Sequence, residues 1–344
     1  MKKISMAEIA RKCGVSKATV SRALADDPRV KAETKAYIKE VARRYNYRPH
    51  AVASNLARGR SKTIGMMLPA APRTIADPFF LEYLNGVSSV LFEHGYSMLL
   101  PQVSPNDVQE TITSLSAQGR VDGVVLTEPR LDDPRIDFLK KSGIPFVFLG
   151  STNVSDVSWV DGDNVGGAYA AVEELFRLGH RRIAIITGEE GLVSTANRWQ
   201  GYKKAMTDLG LDVDPDLVWQ GDFTREGAYQ VVKQRLAGER ALGATAIFAS
   251  NDLMAIGAIQ ALQEEGLRIP EDVSVIGFDG VEVGKYLTPP LTTVQQPINE
   301  LGRQVAHTLL GVLEEGKRCR KITLPVELVN PGNTAGPNMH KQSQ

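Results

Sequence analysis

Cysteine is scarce in this 344-residue sequence. Only Cys13 and Cys319 occur, far apart and without a histidine cluster beside either. A disulfide framework and a cysteine-based zinc site are therefore not expected, and the low count fits a reducing compartment. The five histidines are scattered without metal-ligand spacing, at positions 50, 94, 180, 307 and 340. We expect no metal ion and no cofactor.

Long hydrophobic runs are also absent. No apolar stretch approaches the roughly 18 residues that a membrane span needs, and none follows Met1-Lys2-Lys3 as it would in a signal peptide. We expect a soluble, cytoplasmic protein. The sequence also lacks the G-x-G-x-x-G, P-loop, G-x-S-x-G and H-E-x-x-H motifs, so it favours a binding protein over an enzyme.

The net charge of the whole chain is zero, but positive and negative residues are unevenly distributed along the sequence. Forty Lys and Arg face forty Asp and Glu. Residues 1–62 hold sixteen of these bases against five of the acids, a balance of +11, and the remainder is −11. The length predicts two or three domains, and a small basic N-terminal unit is typical of nucleic-acid binding. A basic face that serves only solubility is the alternative.

The first fifty residues carry the pattern of a helix-turn-helix. Ser5 and Glu8 have the spacing of a capping box. Gly14 supplies a turn residue, and Ser16 can cap a second short helix. A third amphipathic helix would complete the core with four inward side chains, Ile38, Val41, Ala42 and Tyr45.

The start of the second helix is the predicted reader of DNA bases. In this motif the N-terminal residues of the second helix face base edges in the major groove. We predict that Lys17 donates to guanine and that Ala18 packs against a thymine methyl. Short or cationic donors beside them are expected to contact phosphates and bases: Ser16, Thr19, Ser21 and Arg22.

Residues 48–62 form a predicted hinge. Pro49 ends the third helix, because the residue before a proline disfavours the α-helical region. Residues 51–57 would make barely two helical turns, which is too short for a helix to be stable alone. We therefore expect this segment to fold only when DNA or a partner supports it.

From residue 63 onward, short apolar runs alternate with helical stretches. The runs predict strands at residues 64–68, 98–100, 124–126, 146–149, 183–186, 247–249 and 273–278. Helices are predicted at about 79–94, 107–118, 166–178, 195–209, 225–237 and 252–265. Repeated βα units imply doubly wound parallel sheets, and this many strands implies two of them. A ligand is then expected in the cleft between two lobes, at the carboxyl ends of the strands.

Motifs along essentially the whole chain resemble the LacI/GalR family of bacterial repressors. The head carries Ala7-Glu8-Ile9-Ala10, Gly14-Val15-Ser16, Thr19-Val20-Ser21-Arg22, Tyr47-Arg48-Pro49-His50 and Leu56-Ala57. The remainder carries Asp77-Pro78-Phe79-Phe80, Leu178-Gly179-His180-Arg181-Arg182-Ile183, Arg198-Trp199-Gln200-Gly201-Tyr202, Ser250-Asn251-Asp252, Gly277-Phe278-Asp279 and Pro289-Pro290-Leu291-Thr292-Thr293.

The resemblance implies an all-α helix-turn-helix head joined to an α/β two-lobed domain like that of periplasmic binding proteins. It also implies that Asn55 and Leu56 of the hinge contact DNA, with the leucine wedged into a base step of the minor groove. The alternative is that Leu56 is a plain linker residue.

The resemblance further implies a small-molecule effector, most simply a sugar. Arg198, Asn251 and Asp279 would hydrogen-bond it, and Phe223 would stack on it. Further expected contacts are Asp77, Phe79, Phe80 and Gln296. Such a set suits hydroxyls and the apolar face of a sugar ring. The alternatives are a structural Arg198–Asp279 ion pair and, for the two neighbouring phenylalanines, a place in the core. Gly150 stands where some relatives have a polar effector contact, so the metabolite stays open.

These inferences give a domain plan. The head is predicted at 1–47, the hinge at 48–62, the first lobe at 63–161 and 291–330, the second lobe at 162–290, and a flexible tail at 331–344. A late helix at 298–315 would pack on the first lobe. Because no heptads follow it, we expect a homodimer rather than a coiled-coil tetramer.

The predicted function is sequence-specific repression of a carbohydrate-utilisation operon through a pseudo-palindromic DNA operator, under allosteric control by a sugar or sugar derivative. One alternative keeps the architecture but replaces the sugar by a purine or nucleoside. A more distant alternative is a sugar-binding or enzymatic α/β protein with an unrelated basic head.

Overall fold

A computed structural model describes residues 4–24, 26–47, 60–68, 77–101, 107–237, 242–315, 319–329 and 332–337 of the chain. The chain divides into two compact units. The first comprises Met1–Lys62 with Leu115–Asp122, and the second comprises Thr63–Ser114 with Gly123–Gln344.

The first unit contains the three predicted head helices, α1 (Met6–Cys13), α2 (Lys17–Leu24) and α3 (Ala32–Arg44). Ser5 caps α1 as predicted: its Oγ accepts from the Glu8 backbone N–H, and the Glu8 carboxylate accepts from the Ser5 N–H at 2.7 Å. Gly14 then takes the left-handed conformation, with φ of 65°, and ends α1. The capping and the turn together fix where the second helix begins.

The core of the head is formed by one face of each helix. Its buried side chains include Ile9, Val20, Ala23, Ile38 and Val41. The prediction that Tyr45 points inward is wrong, because Tyr45 follows the last residue of α3 and is 43% exposed. Its ring lies under the Lys12 ammonium, 4.2 Å from Nζ, on the surface of the head.

The second unit contains two six-stranded sheets, which define the two lobes. The first sheet has the order β11-β5-β4-β3-β1-β2, and every neighbouring pair is parallel. Its strands are β1 (Thr63–Met67), β2 (Ser97–Leu99), β3 (Gly123–Thr127), β4 (Phe146–Leu149), β5 (Trp159–Gly162) and β11 (Lys321–Leu324). The central strands are fully buried, as the apolar runs predicted.

The second sheet has the order β12-β10-β9-β8-β6-β7 and is parallel except for its last edge strand, which pairs antiparallel with β10. Its strands are β6 (Ile183–Thr187), β7 (Val218–Gln220), β8 (Ala246–Ala249), β9 (Ser274–Asp279), β10 (Thr292–Gln295) and β12 (Glu327–Val329). Two doubly wound sheets therefore confirm the predicted fold class.

Helices connect the strands at the predicted places, with ends within two residues of those expected. They are α4 (Pro78–Glu93), α5 (Val108–Ala117), α6 (Pro134–Ser142), α7 (Asn164–Arg177), α8 (Val193–Asp208), α9 (Arg225–Leu236), α10 (Asp252–Glu264) and α11 (Ile298–Glu315). The sequence did not predict α6, a helix of nine residues with a polar surface. The late helix α11 packs on α4 of the first lobe.

The lobe boundary differs from the prediction near residue 291. Strand β10 still belongs to the second sheet, so the chain returns to the first lobe only after Gln295. Strand β12 belongs to the second sheet as well, although 291–330 was assigned to the first lobe. Pro289-Pro290 misled the prediction because the prolines precede an inner strand of the second sheet rather than a crossing between lobes.

The prediction of a flexible tail at 331–344 is wrong for its described part, residues 332–337. Asn333 is fully buried, and its Oδ1 accepts from the Thr292 backbone N–H at 2.6 Å. The Ala335 carbonyl oxygen lies 2.8 Å from His180 Nε2. His180, buried just before β6, thus ties this segment to the second lobe.

Candidate functional site

The predicted DNA-reading residues lie on one exposed surface of the head. Val20 and Ala23 bury the inner face of α2, which turns Lys17, Ala18 and Arg22 to the outside. Ser16 is exposed at the helix start, whereas Thr19 and Ser21 are half-buried. This surface presents the Lys17 ammonium and the Ala18 methyl group in the first turn of α2 and the Arg22 guanidinium in its last turn.

Two of the polar residues on this surface also support the helix. Ser16 Oγ accepts from the Thr19 backbone N–H at 3.1 Å and lies 2.9 Å from the Thr19 hydroxyl. Ser16 therefore caps α2, as the sequence predicted. Asn55 and Leu56 of the predicted hinge lie outside the described residues.

A cleft of about 650 Å³, open solvent at its mouth included, lies between the two lobes. Its walls come from the carboxyl ends of strands in both sheets, where a doubly wound fold is expected to bind ligands. All eight predicted effector contacts line this one cleft: Asp77, Phe79, Phe80, Arg198, Phe223, Asn251, Asp279 and Gln296.

Arg198 is the buried cation of the cleft. It projects from α8, is 6% exposed, and donates from Nε to Asn164 Oδ1 at 2.8 Å. Nη1 donates to the Ser250 carbonyl, and Nη2 donates to Asp279 Oδ1 at 3.3 Å. The Phe278 ring lies beneath the guanidinium, 3.8 Å away. These contacts fix the plane of the cation before any ligand arrives.

Asp279 ends β9 and carries the carboxylate opposite Arg198. Burial raises the pKa of Asp279 to about 7; Arg198 lowers it and Asp77 raises it. Gln296 Nε2 donates to the same carboxylate oxygen at 2.8 Å. The backbone φ of Asp279 is 118°, a conformation that side chains rarely adopt. Strain of this kind persists where the surrounding structure enforces it, commonly at binding sites.

One buried carboxylate of the cleft, that of Asp161, was not predicted. Asp161, in β5, accepts from the Ser151 and Gly162 backbone N–H groups and from Asn164 Nδ2, each at 2.9 Å. Burial raises its pKa. Through Asn164 it joins the hydrogen-bond network of Arg198. The available signal was an acid one residue before the end of an apolar strand, but β5 itself was not recognised.

Asn251 has a largely structural set of bonds. Its Oδ1 accepts from the Met254 backbone N–H at 2.9 Å and caps α10, and its Nδ2 donates to the Phe223 carbonyl at 3.2 Å. The next residue, Asp252, accepts from the backbone N–H groups of Gly280 and Val281 and so holds the turn after Asp279. The amide lines the cleft while it fixes two of the cleft's loops.

The aromatic wall of the cleft has members from both lobes. Phe79 and Phe80 meet edge to face, with ring centroids 5.4 Å apart. Phe223, from the second lobe, has φ of 57° and packs tightly over Gly188, where a Cβ would lie 2.1 Å from its ring. Phe80 and Phe223 are both buried and both line the cleft.

Other lining residues were not predicted, namely Thr127, Glu128, Pro129, Leu149, Gly150, Asp161, Asn164, Ser194 and Leu301. Thr127 and Glu128 follow a strand that the sequence did predict, so their position at its carboxyl end was an available signal. The lining contains four acids, Asp77, Glu128, Asp161 and Asp279, against one base, Arg198. The cleft is therefore acidic.

The geometry agrees with the comparisons to known proteins. Residues 5–50 match the model for bacterial regulatory proteins of the lacI family, and residues 172–332 match that for a periplasmic binding protein-like domain. The chain is 35% identical to the HTH-type transcriptional regulator AglR of Rhizobium meliloti (strain 1021), over 96% of this chain and 94% of AglR. The chain belongs to the LacI family.

Solved structures of LacI-family members share the whole architecture. A CelR–cellobiose complex has a TM-score of 0.73 and 31% identity, over 95% of this chain and 98% of that one. The Lac repressor dimer bound to operator and the anti-inducer ONPF has a TM-score of 0.85 and 28% identity, over 97% and 100%. The helix-turn-helix head and the two-lobed domain predicted from the sequence are confirmed, and the protein is a DNA-binding transcriptional regulator.

Two features are absent from the part of the chain that the structure describes. No described helix is long and apolar enough to cross a membrane. No three His, Cys, Asp or Glu side chains among the described residues are grouped so that they would hold a metal ion.

Proposed function

We propose that the protein is a cytoplasmic, homodimeric repressor that reads a pseudo-palindromic operator with α2. Its affinity for the operator falls or rises when a small neutral sugar enters the cleft. The observation that carries this proposal is the juxtaposition of Arg198, Asp279 and Phe223 in one buried wall. A cation, a carboxylate and an aromatic ring together serve the hydroxyls and the apolar face of a sugar.

The charge of the cleft selects the ligand class. Four carboxylic side chains face one guanidinium, and that guanidinium already donates to Asn164, Ser250 and Asp279. A phosphate or carboxylate on the ligand would meet several carboxylic side chains and one guanidinium that already has partners, so it would lose its hydration without compensation. Hydroxyl groups, by contrast, donate to carboxylates, so a neutral polyol fits.

The basic head supports the DNA half of the proposal. The +11 balance of residues 1–62, head and hinge together, supplies the attraction to phosphates, and Lys17, Ala18 and Arg22 are exposed where a recognition helix presents its reading face. One relative was solved as a dimer on its operator, and another was solved with cellobiose. Both support the proposal that this protein binds DNA and a small molecule at different sites. No catalytic turnover is part of this function.

Control of DNA binding follows from linkage between the two sites. Ligand contacts come from both lobes, so a bound ligand favours the closed cleft. If closure alters the spacing of the two heads in a dimer, ligand and operator must change each other's affinity by the same factor. The regulator therefore needs no contact between ligand and DNA.

The test combines a ligand screen with a DNA-binding assay. Thermal-shift screening of the full chain should use neutral mono- and disaccharides, their phosphorylated counterparts, and purine bases and nucleosides. Saturation at 100 times Kd stabilises a protein by about 2.7 kcal/mol. A neutral sugar that raises Tm should then change the gel-shift of the protein on its own upstream DNA. Stabilisation only by a purine or only by a sugar phosphate would overturn the ligand assignment.

A further inference from the structure

Two loop segments bridge the lobes at one rim of the cleft. Residues 129–131 follow β3 of the first lobe, and residues 189–193 follow β6 of the second. The Leu131 backbone N–H donates to the Gly191 carbonyl at 2.9 Å, and the Val193 N–H donates to the Pro129 carbonyl at 3.0 Å. Arg130 and Leu192 thereby form an isolated antiparallel bridge. We call these two segments the clasp.

The side chain of Arg130 adds an ion pair to the clasp. Nη1 donates to Glu189 Oε1 at 2.8 Å, and Nη2 donates to the Glu190 carbonyl at 2.9 Å. The two charged side chains are 46% and 42% exposed. Neither Arg130 nor Glu189 lines the cleft, although Glu128 and Pro129, which precede Arg130 in the chain, do. The ion pair therefore joins the lobes without occupying ligand space.

Gly191 makes this close approach possible. Its φ of 84° is in the left-handed region, and a Cβ there would lie 2.9 Å from Arg130 Nη2. A side chain at this position would strain the turn and push the guanidinium away. The loop is thus shaped around the arginine of the other lobe.

We propose that Arg130 and Glu189 are positioning residues that hold the cleft closed and so set effector affinity and residence time without touching the effector. This inference rests on the proposed function for its ligand arm only. An exposed ion pair and two backbone hydrogen bonds form a weak link. A small change in free energy is enough to open such a link, and a reversible closure of the cleft requires this property.

The first test needs no ligand and uses the full chain. Hydrogen exchange should be measured in peptides that contain the crossing N–H groups of Leu131 and Val193. Replacement Arg130→Gln should speed exchange there about two- to fivefold, the range of an exposed ion pair. The matched control is Lys140→Gln, because Lys140 pairs with Asp156 at 2.6 Å within the first lobe. Unchanged exchange in Arg130→Gln, or an equal rise in the control, overturns the clasp.

Two further variants make the result independent of one substitution. Glu189→Gln should speed exchange as much as Arg130→Gln, and the double variant should add little, since both remove the same pair. Gly191→Ala keeps every charge yet should also speed exchange. In 1 M salt the Debye length is about 3 Å, so the exposed ion pair is screened. The hydrogen-exchange rate of the wild type should then approach that of Arg130→Gln. Strict additivity of the two charge variants contradicts a shared ion pair.

The ligand arm uses the neutral sugar that gives the largest thermal shift. Arg130→Gln and Glu189→Gln should bind it about two- to fivefold more weakly, chiefly through faster dissociation, with Lys140→Gln unchanged. Faster exchange with unaltered sugar affinity overturns the role in binding. If no neutral sugar binds the wild type, the ligand assignment fails, and the exchange experiment still decides whether the clasp holds the lobes.

Discussion

The Arg198 guanidinium and the Asp279 carboxylate lie 3.3 Å apart in the cleft, and both side chains are 7% exposed. The separation exceeds the 2.7–2.9 Å typical of a strong charge-assisted hydrogen bond. Each group also has neutral partners, Asn164 for the arginine and Gln296 for the aspartate. The pair is therefore part of the buried structure and also lines the cleft.

Replacing Asp279 by asparagine should abolish most effector binding while operator binding without effector persists. A hydrogen bond to a charged group is worth about 1.5–3 kcal/mol, so sugar affinity should fall about 10- to 150-fold. Calorimetry with the sugar and gel-shifts with and without it give the two readouts. Asp212→Asn, an exposed site on the same lobe, is the control. A variant that still responds fully to the sugar would show that the cleft is not the effector site.

The raised pKa of Asp279, about 7, makes stability depend on pH in a defined direction. An unfolded aspartate has a pKa near 3.9, so between about pH 4 and pH 7 the folded protein holds a proton that the unfolded chain has lost. The stabilisation that the protonated Asp279 side chain gives to the folded state is complete below pH 4 and is lost as pH rises through 7. The free energy of unfolding of wild type minus that of Asp279→Asn should therefore fall from pH 5 to pH 8. A difference that stays flat contradicts the raised pKa.

The fold was predictable where the chain buries continuous apolar runs. All seven predicted strands are present, because buried parallel strands need such runs. The strands missed are short or lie at sheet edges, or they contain polar residues, as β5 does with Asp161 and β11 with Lys321. Their positions depend on pairing with strands distant in sequence, for which a local pattern holds no signal.

The cleft was predictable from motifs at strand ends, but the hydrogen-bond network of its side chains was not. Arg198 and Asp279 stood in recognisable motifs, whereas Asp161 and Asn164 become part of the site only because β5 runs beside β4 and ends at the same edge. The partners of Arg130 lie about sixty residues away in sequence. Contacts between residues so far apart in sequence depend on how the lobes pack, so a local sequence pattern cannot predict them.

Replacing Gly86 by alanine should destabilise the first lobe. Gly86 of α4 faces α11 so closely that a Cβ would lie 2.0 Å from the Asn299 carbonyl oxygen, and Gly302 faces α4 in the same way. The two helices must separate to admit a methyl group, and such overpacking costs about 1–3 kcal/mol. Thermal or urea unfolding should show the loss, with Ser88→Ala, exposed on the same helix, as the control. Equal stability of Gly86→Ala and wild type would contradict this contact.

Operator binding should weaken steeply with salt, because the basic head replaces counterions on the phosphates. If six to ten phosphates are contacted, affinity should fall about 10³- to 10⁵-fold between 50 and 200 mM salt. Fluorescence anisotropy over that range gives the slope. Sugar affinity in the absence of DNA serves as the internal control and should change far less, because the ligand is neutral. An operator Kd independent of salt is incompatible with a head that acts through its positive charge.

Lys17 and Ala18 should choose the operator sequence, whereas Arg22 should mainly add affinity. All three are exposed on α2, but the first two lie in its first turn, which faces base edges in this motif. Exchanging Lys17 and Ala18 together for other polar residues should change the preferred bases in each half-site, at about 1–3 kcal/mol per base pair. Arg22→Gln should weaken binding to all sequences by a similar factor, since a phosphate contact carries no sequence information. Selection from a random DNA library, followed by competition between the selected sites, separates these effects. The same selected motif for the Lys17 and Ala18 variant as for wild type would place the base readout elsewhere on the head.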